Sequence, residues 1–77
     1  MAVVRYFAAA QEATGLDTER RAEATLGELR RGVSNAYPGL AGILPRCAVL
    51  VEGSRVEDDT SLGAEDLVDV LPPFAGG

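Results

Sequence analysis

The sequence predicts an α+β fold, in which a mixed sheet of about five strands is covered on one face by one main helix. Two observations lead to this prediction. Short runs of β-branched residues lie near both ends of the chain, and a stripe of apolar residues at helical spacing lies between them. The 77 residues make one small domain with little room for an enclosed active site, so we expect the chain to be non-catalytic alone.

The first strand is predicted over Val3–Phe7, where β-branched and aromatic residues are concentrated. Because Arg5 should face solvent, the two-residue alternation places Phe7 outward as well and turns Val4 and Tyr6 toward the core. Phe7 is therefore a candidate exposed aromatic side chain.

Two further elements are predicted before the main helix. The good helix formers of Ala8–Thr14 indicate a short helical turn, which Gly15 closes in the left-handed conformation. The polar segment Asp17–Ala24 is typical of an edge strand, and we expect it to pair with the first strand.

The main helix is predicted to begin after Thr25, because Thr25 and Glu28 have the spacing of a capping box. An apolar stripe follows at helical spacing; it consists of Leu26, Leu29, Val33, Ala36 and Tyr37. Pro38 and Gly39 then end the helix. A helix with one such stripe should cover one face of a sheet.

The second half of the chain is predicted to supply three strands. Arg46–Glu52 forms the first, Gly53-Ser54 makes a two-residue turn, and Arg55-Val56 returns as a short second strand. The acidic run Glu57-Asp58-Asp59 lacks calcium-loop spacing, so we expect a solvated turn and no metal site. Leu67–Leu71 is the last strand, and its two end residues face outward.

This order of elements predicts a β-grasp domain over residues 1–71, followed by an extended tail over residues 72–77. In such a domain the first and last strands lie side by side at the centre of the sheet. We expect this pairing to bring Phe7, Leu67 and Leu71 together as an exposed apolar patch beside the root of the tail. Patches of this kind usually mark partner surfaces.

The charge balance and the missing residue types exclude several functions. Seven basic and twelve acidic residues give a net charge of −5, which disfavours nucleic acid as a partner. The chain has no His and no Lys, so histidine metal sites, His-dependent nucleophiles and Schiff bases are unavailable. Its single cysteine, Cys47, is predicted to lie in the core and favours a cytoplasmic location. No apolar run approaches a membrane span.

The chain ends in a stiff and then slender tail. Pro72 and Pro73 favour an extended backbone, whereas Gly76 and Gly77 carry no side chains. Such a tail can bring a terminal carboxylate into a narrow channel of another protein. The Gly77 carboxylate is unreactive until an activating enzyme uses ATP to form an acyl-adenylate. A sulfur nucleophile can then displace AMP and leave a thiocarboxylate.

Two segments of the chain resemble a known family. Val4–Gly15 (VRYFAAAQEATG) and Asp69–Gly77 (DVLPPFAGG) are similar to the MoaD/ThiS ubiquitin-like sulfur carriers, most of all to MoaD proteins, the small subunits of molybdopterin synthase. The Pro-Pro-x-Ala-Gly-Gly ending is the most specific part, since the thiamine carriers typically share only the diglycine. Gln11 departs from the family pattern, in which an Arg-Glu pair is common at this place.

The resemblance implies a sulfur-carrying subunit with no stably bound cofactor. A MoeB-type adenylating enzyme would consume ATP to activate Gly77, and a sulfurtransferase would supply sulfur to form 1-thioglycine there. The tail would then enter a MoaE-type large subunit, in a heterotetramer with two carriers at the ends of a large-subunit dimer. The sulfur would build the dithiolene of molybdopterin from cyclic pyranopterin monophosphate, a step of molybdenum cofactor biosynthesis.

The resemblance also implies roles for individual residues. Gly77 would carry the sulfur and Gly76 would give it clearance. The residues implied to contact partners are Phe7, Leu67, Leu71, Pro72, Pro73, Phe74 and Ala75. Three alternatives stay open: a sulfur carrier for thiamine, cysteine or thio-metabolite synthesis, a protein modifier that joins lysines through Gly77, and a ubiquitin-like binding module without covalent chemistry.

Overall fold

The first and last strands lie side by side at the centre of a mixed sheet. A computed structural model describes residues 1–73, with elements β1 (Ala2–Tyr6), α1 (Ala9–Thr14), β2 (Thr18–Arg21), α2 (Leu26–Ala36), α3 (Pro38–Ala41), a 3₁₀ turn (Leu44–Arg46), β3 (Ala48–Val51) and β4 (Leu67–Leu71). The strand order is β2-β1-β4-β3, in which β1 and β4 are parallel and each outer strand is antiparallel to its neighbour. The predicted β-grasp topology is confirmed, with four strands in the described residues in place of about five.

The helices enclose the core against one face of the sheet. Strand residues alternate as predicted, since Val4, Tyr6, Val68 and Val70 all point inward and are at most 2% exposed. The helical side of the core consists of Ala10, Leu26, Leu29, Val33, Leu40 and Leu44. Ala36 departs from the predicted stripe and is exposed, because α2 ends there and Leu40 of α3 supplies the next core side chain.

The capping box at the start of α2 is confirmed, with one shift. The Thr25 hydroxyl accepts a hydrogen bond from the backbone amide of Glu28 at 3.2 Å. The Glu28 carboxylate accepts from the amide of Ala24 at 3.2 Å, one residue earlier than a standard capping box would have it. Both ends of the motif therefore hold the chain in the direction that α2 requires.

The predicted return strand over Arg55-Val56 does not form, and this prediction is wrong. A tight turn at Glu52 and Gly53 is present, with φ of 50° and 81°. The strand pairing beyond it is limited to a single bridge between Val51 and Ser54, which closes the turn. The chain then leaves the sheet, because carbonyl groups of residues 58 and 60 accept hydrogen bonds from the first amides of α2. Those amides have no acceptor within the helix itself.

β3 is shorter than its predicted range at both ends. Leu44–Arg46 forms a 3₁₀ turn that contains Pro45, whose fixed φ suits a helical turn and whose missing N–H cannot serve a strand. The Cys47 amide closes this turn by donating to the carbonyl of Leu44 at 3.0 Å. The strand therefore begins only at Ala48.

The turn between β1 and α1 holds a non-glycine residue in a left-handed conformation. Ala8 has φ 50° and ψ −124°, and the carbonyl of Phe7 accepts from the amide of Ala10 at 3.0 Å across it. A backbone of this kind suits glycine and costs a side-chain-bearing residue about 1–3 kcal/mol. At the other end of α1, Gly15 adopts the predicted left-handed cap with φ 75°.

Replacement of Ala8 by Gly should stabilise the domain by about 1 kcal/mol. The relieved strain exceeds the extra chain entropy that glycine brings to the unfolded state. Urea denaturation of Ala8→Gly and the native chain measures the difference, and Ala9→Gly serves as the control because Ala9 begins α1 with ordinary helical geometry. An equal or lower stability of Ala8→Gly would mean that the turn is not strained.

The edge strand β2 is attached to the end of α2 through one carboxylate. β2 pairs with β1, as predicted; the pairing is antiparallel, and Glu19 of β2 points inward. The Glu19 carboxylate accepts hydrogen bonds from the hydroxyls of Tyr6 and Tyr37, each at 2.7 Å, and Nη1 of Arg21 lies 3.6 Å from it. The two tyrosine rings meet edge to face with centroids 6.2 Å apart. We call these four residues the tyrosine–carboxylate cluster.

Both tyrosines in this cluster resist ionisation. Burial raises the pKa of Tyr6 well above its usual value, and its hydrogen bond to Glu19 raises it further. The pKa of Tyr37 is raised mainly by its own hydrogen bond to Glu19. A phenolate would place a second negative charge beside the Glu19 carboxylate, which is unfavourable, so the cluster keeps both phenols neutral.

Stability should fall as the pH rises above about 10, the usual pKa of tyrosine in an unfolded chain. Above that pH the unfolded chain releases the phenolic proton and the folded chain retains it, so unfolding gains up to about 1.4 kcal/mol per pH unit from Tyr6. Urea denaturation from pH 8 to 12 measures this loss, and no Lys contributes because the chain has none. Tyr6→Phe should show a shallower decline; an identical decline would contradict the assignment.

Candidate functional site

The outward side chains of the two central strands form one continuous surface that leads to the tail. We call it the central outer face; its members are Val3, Arg5, Phe7, Leu67, Asp69 and Leu71. The sheet register pairs Val3 with Leu67 and Arg5 with Asp69. The opposite face of the same strands is covered by the helices, so this is the face of the central pair that is open to a partner.

Phe7 and Leu71 lie together at the tail end of the central outer face. Tyr6 pairs with Val70 in the register, and the Phe7 amide donates to the Val70 carbonyl at 3.2 Å. The next residues along the two strands, Phe7 and Leu71, are therefore neighbours. Phe7 is 37% exposed and Leu71 is half-buried. The alternation therefore placed both side chains correctly, and Pro72 continues directly from this end.

Leu67 lies at the other end of the central outer face. It lies four residue steps from Leu71, which corresponds to about 13 Å along β4. Its neighbour in the register is Val3, not Phe7. The prediction that Phe7, Leu67 and Leu71 form one patch is therefore wrong in this respect: parallel pairing in this register separates them into two apolar ends.

An ion pair lies between the two apolar ends. Nε of Arg5 donates to Oδ1 of Asp69 at 2.6 Å, and Nη2 donates to Oδ2 at 2.9 Å, so the contact is bidentate. These hydrogen bonds raise the pKa of Arg5 above its usual value. The guanidinium carbon also lies 5.8 Å from the centre of the Phe7 ring, within the range of a cation–π contact.

The root of the tail borders a small surface pocket. Pro72 is buried and Pro73 is exposed, and with Ala9, Ile43 and Arg46 they line a cavity of about 190 Å³. The tail therefore leaves the domain from an anchored proline, beside the exposed Arg46. The remaining predicted site residues, 74 to 77, lie outside the described part of the chain.

Cys47 is poorly suited to act as a nucleophile. It is half-buried against the core, and its Sγ donates to the carbonyl of Ile43 at 3.3 Å. Burial raises the pKa of the thiol above its usual value, an effect only partly offset by Arg46 and Arg30. The thiolate is therefore scarce at neutral pH.

Asp58, the middle residue of the acidic run Glu57-Asp58-Asp59, holds that run against α2. One carboxylate oxygen of Asp58 accepts from Nε of Arg30 at 3.0 Å, and the Asp58 carbonyl accepts from the Gly27 amide at 2.8 Å. Among residues 1–73, no group of three or more Cys, Asp or Glu side chains is arranged to hold a metal ion. In the same part of the chain, no helix has the length and apolar character needed to cross a membrane.

Sequence reasoning missed the Arg5–Asp69 ion pair. Its signal was present, because Arg5 and Asp69 each occupy the middle outward position of a strand predicted to lie at the centre of the sheet. Opposite charges on adjacent strands attract each other when the register places them side by side. The register itself could not be read from either strand alone.

Comparison with known proteins identifies the family. The model of the ThiS family matches residues 4–77 of the chain. No match to the chain is found among curated protein sequences.

Several solved structures have the same fold. A chain named as subunit 1 of a molybdopterin converting factor, from Pyrococcus furiosus, has a TM-score of 0.86 at 23% identity, over 95% of this chain and 97% of that one. The small archaeal modifier protein 1 from Methanosarcina acetivorans has a TM-score of 0.86 at 20% identity, over 99% and 95%. A complex of subunits 1 and 2 of molybdopterin-converting factor from Helicobacter pylori contains a chain with a TM-score of 0.73 at 26% identity, over 99% and 97%.

The family match spans nearly the whole sequence, and the solved structures superpose over nearly their whole length with TM-scores of 0.73 to 0.86. The chain is therefore a member of the ThiS family and one of the ubiquitin-like MoaD/ThiS proteins with the β-grasp fold.

Proposed function

We propose that the chain is the sulfur-carrying small subunit of a molybdopterin synthase, with sulfur held as a thiocarboxylate on Gly77. The observation that carries the proposal is the sequence Pro72-Pro73-Phe74-Ala75-Gly76-Gly77 directly after β4, on a ThiS-family domain. Because β4 is a central strand, the tail starts from the most firmly held part of the sheet, beside Phe7 and Leu71.

The chemistry needs no catalytic side chain from this protein. A carboxylate oxygen of Gly77 attacks the α-phosphate of ATP on a MoeB-type enzyme, which forms the acyl-adenylate and releases pyrophosphate. A sulfide equivalent from a sulfurtransferase then attacks the carbonyl carbon. The bond between that carbon and the phosphate oxygen of AMP breaks, and AMP leaves. The chain contributes a slender tail and a docking surface, and binding there orients the reacting carbonyl.

The large-subunit partner is supported by the complex of subunits 1 and 2 from Helicobacter pylori, one chain of which this protein resembles at 26% identity. We propose that the tail enters a MoaE-type subunit, in a heterotetramer, and that its sulfur becomes part of the dithiolene of molybdopterin. The net charge of −5 favours rapid association with a basic channel entrance more than it favours tight binding.

Intact-mass spectrometry tests the carrier chemistry. The full chain is incubated with a MoeB-type adenylating enzyme, ATP and sulfide, and the expected product gains the mass difference of sulfur for oxygen. Omission of ATP is the control and should leave the mass unchanged. No gain with an activating enzyme proven active on another carrier would contradict the carrier function.

The choice of pathway needs a second step. The thiocarboxylated chain is mixed with the MoaE-type subunit from the same organism and cyclic pyranopterin monophosphate, and molybdopterin should form as the chain returns to its original mass. Sulfur loading without molybdopterin formation would favour a carrier for thiamine, cysteine or thio-metabolite synthesis.

Protein modification is a second candidate, favoured by the likeness to the small archaeal modifier protein 1 from Methanosarcina acetivorans. A modifier would form an amide between Gly77 and lysines of other proteins, and it could not be linked to itself through a side-chain amine, because it has no Lys. Lysines of cellular proteins that carry the C-terminal peptide of this chain in amide linkage, lost on deletion of the gene, would identify this function; cleavage after Arg would leave residues 56–77 as the remnant.

A further inference from the structure

The central outer face is not uniformly apolar. An ion pair lies at its centre, and this pair influences which partner surfaces can bind there. The Arg5–Asp69 pair lies between Val3 and Leu67 on one side and Phe7 and Leu71 on the other. Leu50 of β3 is the neighbour of Asp69 across the strand pair and is half-buried. On the other side, Thr18 of β2 is the register neighbour of Arg5 and is exposed. The polar pair thus has apolar neighbours along β1, β4 and β3, on a face that the helices leave open.

In the free domain this pair is only partly removed from water. The side chains of Arg5 and Asp69 are 42% and 15% exposed, so the Arg5 side of the pair keeps much of its water in the free domain, which limits what the pair adds to folding. The balance changes when a partner covers the face, since both charged groups then lose their water. The pair therefore has its largest energetic effect in a complex.

The geometry of the pair leaves hydrogen-bond donors free on the exposed side. A guanidinium has five N–H groups, and Asp69 takes one from Nε and one from Nη2, so among residues 1–73 three are left for solvent or a partner. Asp69 is the more buried member and Arg5 the more exposed one. The pair as a whole is neutral, but its more exposed member is a cation, on a molecule whose net charge is −5.

We propose that Arg5 is a specificity-determining residue of the central outer face, where it binds a carboxylate of the large subunit that is set among apolar side chains. This inference rests on the proposed function, because it names the partner's chemistry at the same surface. A partner with a purely apolar surface would bury the three free N–H groups without acceptors and would be rejected. A partner with an Asp or Glu at that place would satisfy them.

Isothermal titration calorimetry tests the inference, with the full chain and the MoaE-type subunit from the same organism. Arg5→Leu should weaken the affinity about tenfold or more. Arg20→Leu is the matched control. Arg20 is exposed on the same side of the sheet, on β2 beside Val3, and its loss removes the same charge. It should change the affinity less than about threefold.

A charge-swapped chain, Arg5→Asp with Asp69→Arg, keeps an ion pair in the sheet and exchanges the two charges. It should remain folded, with an unchanged circular dichroism spectrum, and should bind about as weakly as Arg5→Leu or more weakly. Because the swapped chain retains the internal pair, its binding is informative even if Arg5→Leu is unstable.

Three results would overturn the inference: unchanged affinity of the charge-swapped chain, unchanged affinity of folded Arg5→Leu, or equal losses in Arg5→Leu and Arg20→Leu. The last result would assign the effect to general charge. The proposed function fails differently, since the native chain itself would then not bind the large subunit.

Discussion

A chain that lacks Gly77 should gain no sulfur on incubation with an activating enzyme, ATP and sulfide, whereas Cys47→Ala should gain as much as the native chain. Removal of Gly77 shortens the tail by one residue of extended backbone, about 3.3 Å, and moves the carboxylate out of the reacting position. A misplacement much smaller than this can cost two orders of magnitude in rate. Intact-mass spectrometry at equal incubation times measures the loss.

Cys47→Ala distinguishes sulfur bound at Gly77 from sulfur bound at the Cys47 thiol. The native thiol is half-buried, its pKa is raised by burial, and its hydrogen is donated to the Ile43 carbonyl. These features make it a poor nucleophile and a poor sulfur acceptor. Sulfur gain by the chain without Gly77, together with loss of gain in Cys47→Ala, would transfer the role from the tail to the thiol.

Glu19→Ala should lower the free energy of unfolding by about 3 kcal/mol. The change leaves the buried hydroxyl of Tyr6 and the hydroxyl of Tyr37 without their acceptor, and each unpaired buried donor costs about 1–3 kcal/mol. In a domain of this size, the loss corresponds to a melting point about 12–24 °C lower. A chain this small has about 4–12 kcal/mol in total, so Glu19 accounts for a large share.

Thermal unfolding of two control variants tests whether the loss comes from the unpaired hydroxyls. Glu12→Ala removes the same charge from an exposed side chain of α1, which makes no hydrogen bond within the described residues, and should change stability by less than about 0.5 kcal/mol. The triple change Glu19→Ala, Tyr6→Phe and Tyr37→Phe removes the donors with the acceptor and should be more stable than Glu19→Ala alone. If it is less stable, the unpaired hydroxyls are not the cause.

Much of the fold follows from local patterns in the sequence. Two-residue alternation identified the inward side chains of both central strands, and Thr25 with Glu28 located the start of α2. The return strand at Arg55-Val56 was predicted from an equally good local signal, the turn at Gly53-Ser54. It fails where the residues just beyond it turn away, since the carbonyls of residues 58 and 60 bond to distant amides at the start of α2, and no local pattern reports those bonds.

The candidate site was predictable in part for the same reason. Alternation gave the outward direction of Phe7, Leu67 and Leu71, but their distances depend on how β1 is aligned with β4. A shift of two residues in that alignment would keep every side chain on its face and change every neighbour. The tyrosine–carboxylate cluster was missed because it joins three separate elements, and β2 gave only a polar pattern.

The parallel pairing of β1 with β4 also constrains the order of events during folding. It joins residues 64 positions apart in sequence, so the central contact of the sheet cannot form until nearly the whole chain has been synthesised. A nascent or truncated chain without β4 leaves β1 and β3 with unpaired edges, which favour aggregation and proteolysis. Because the tail follows β4 directly, a chain that bears the tail also holds every strand its domain needs to close.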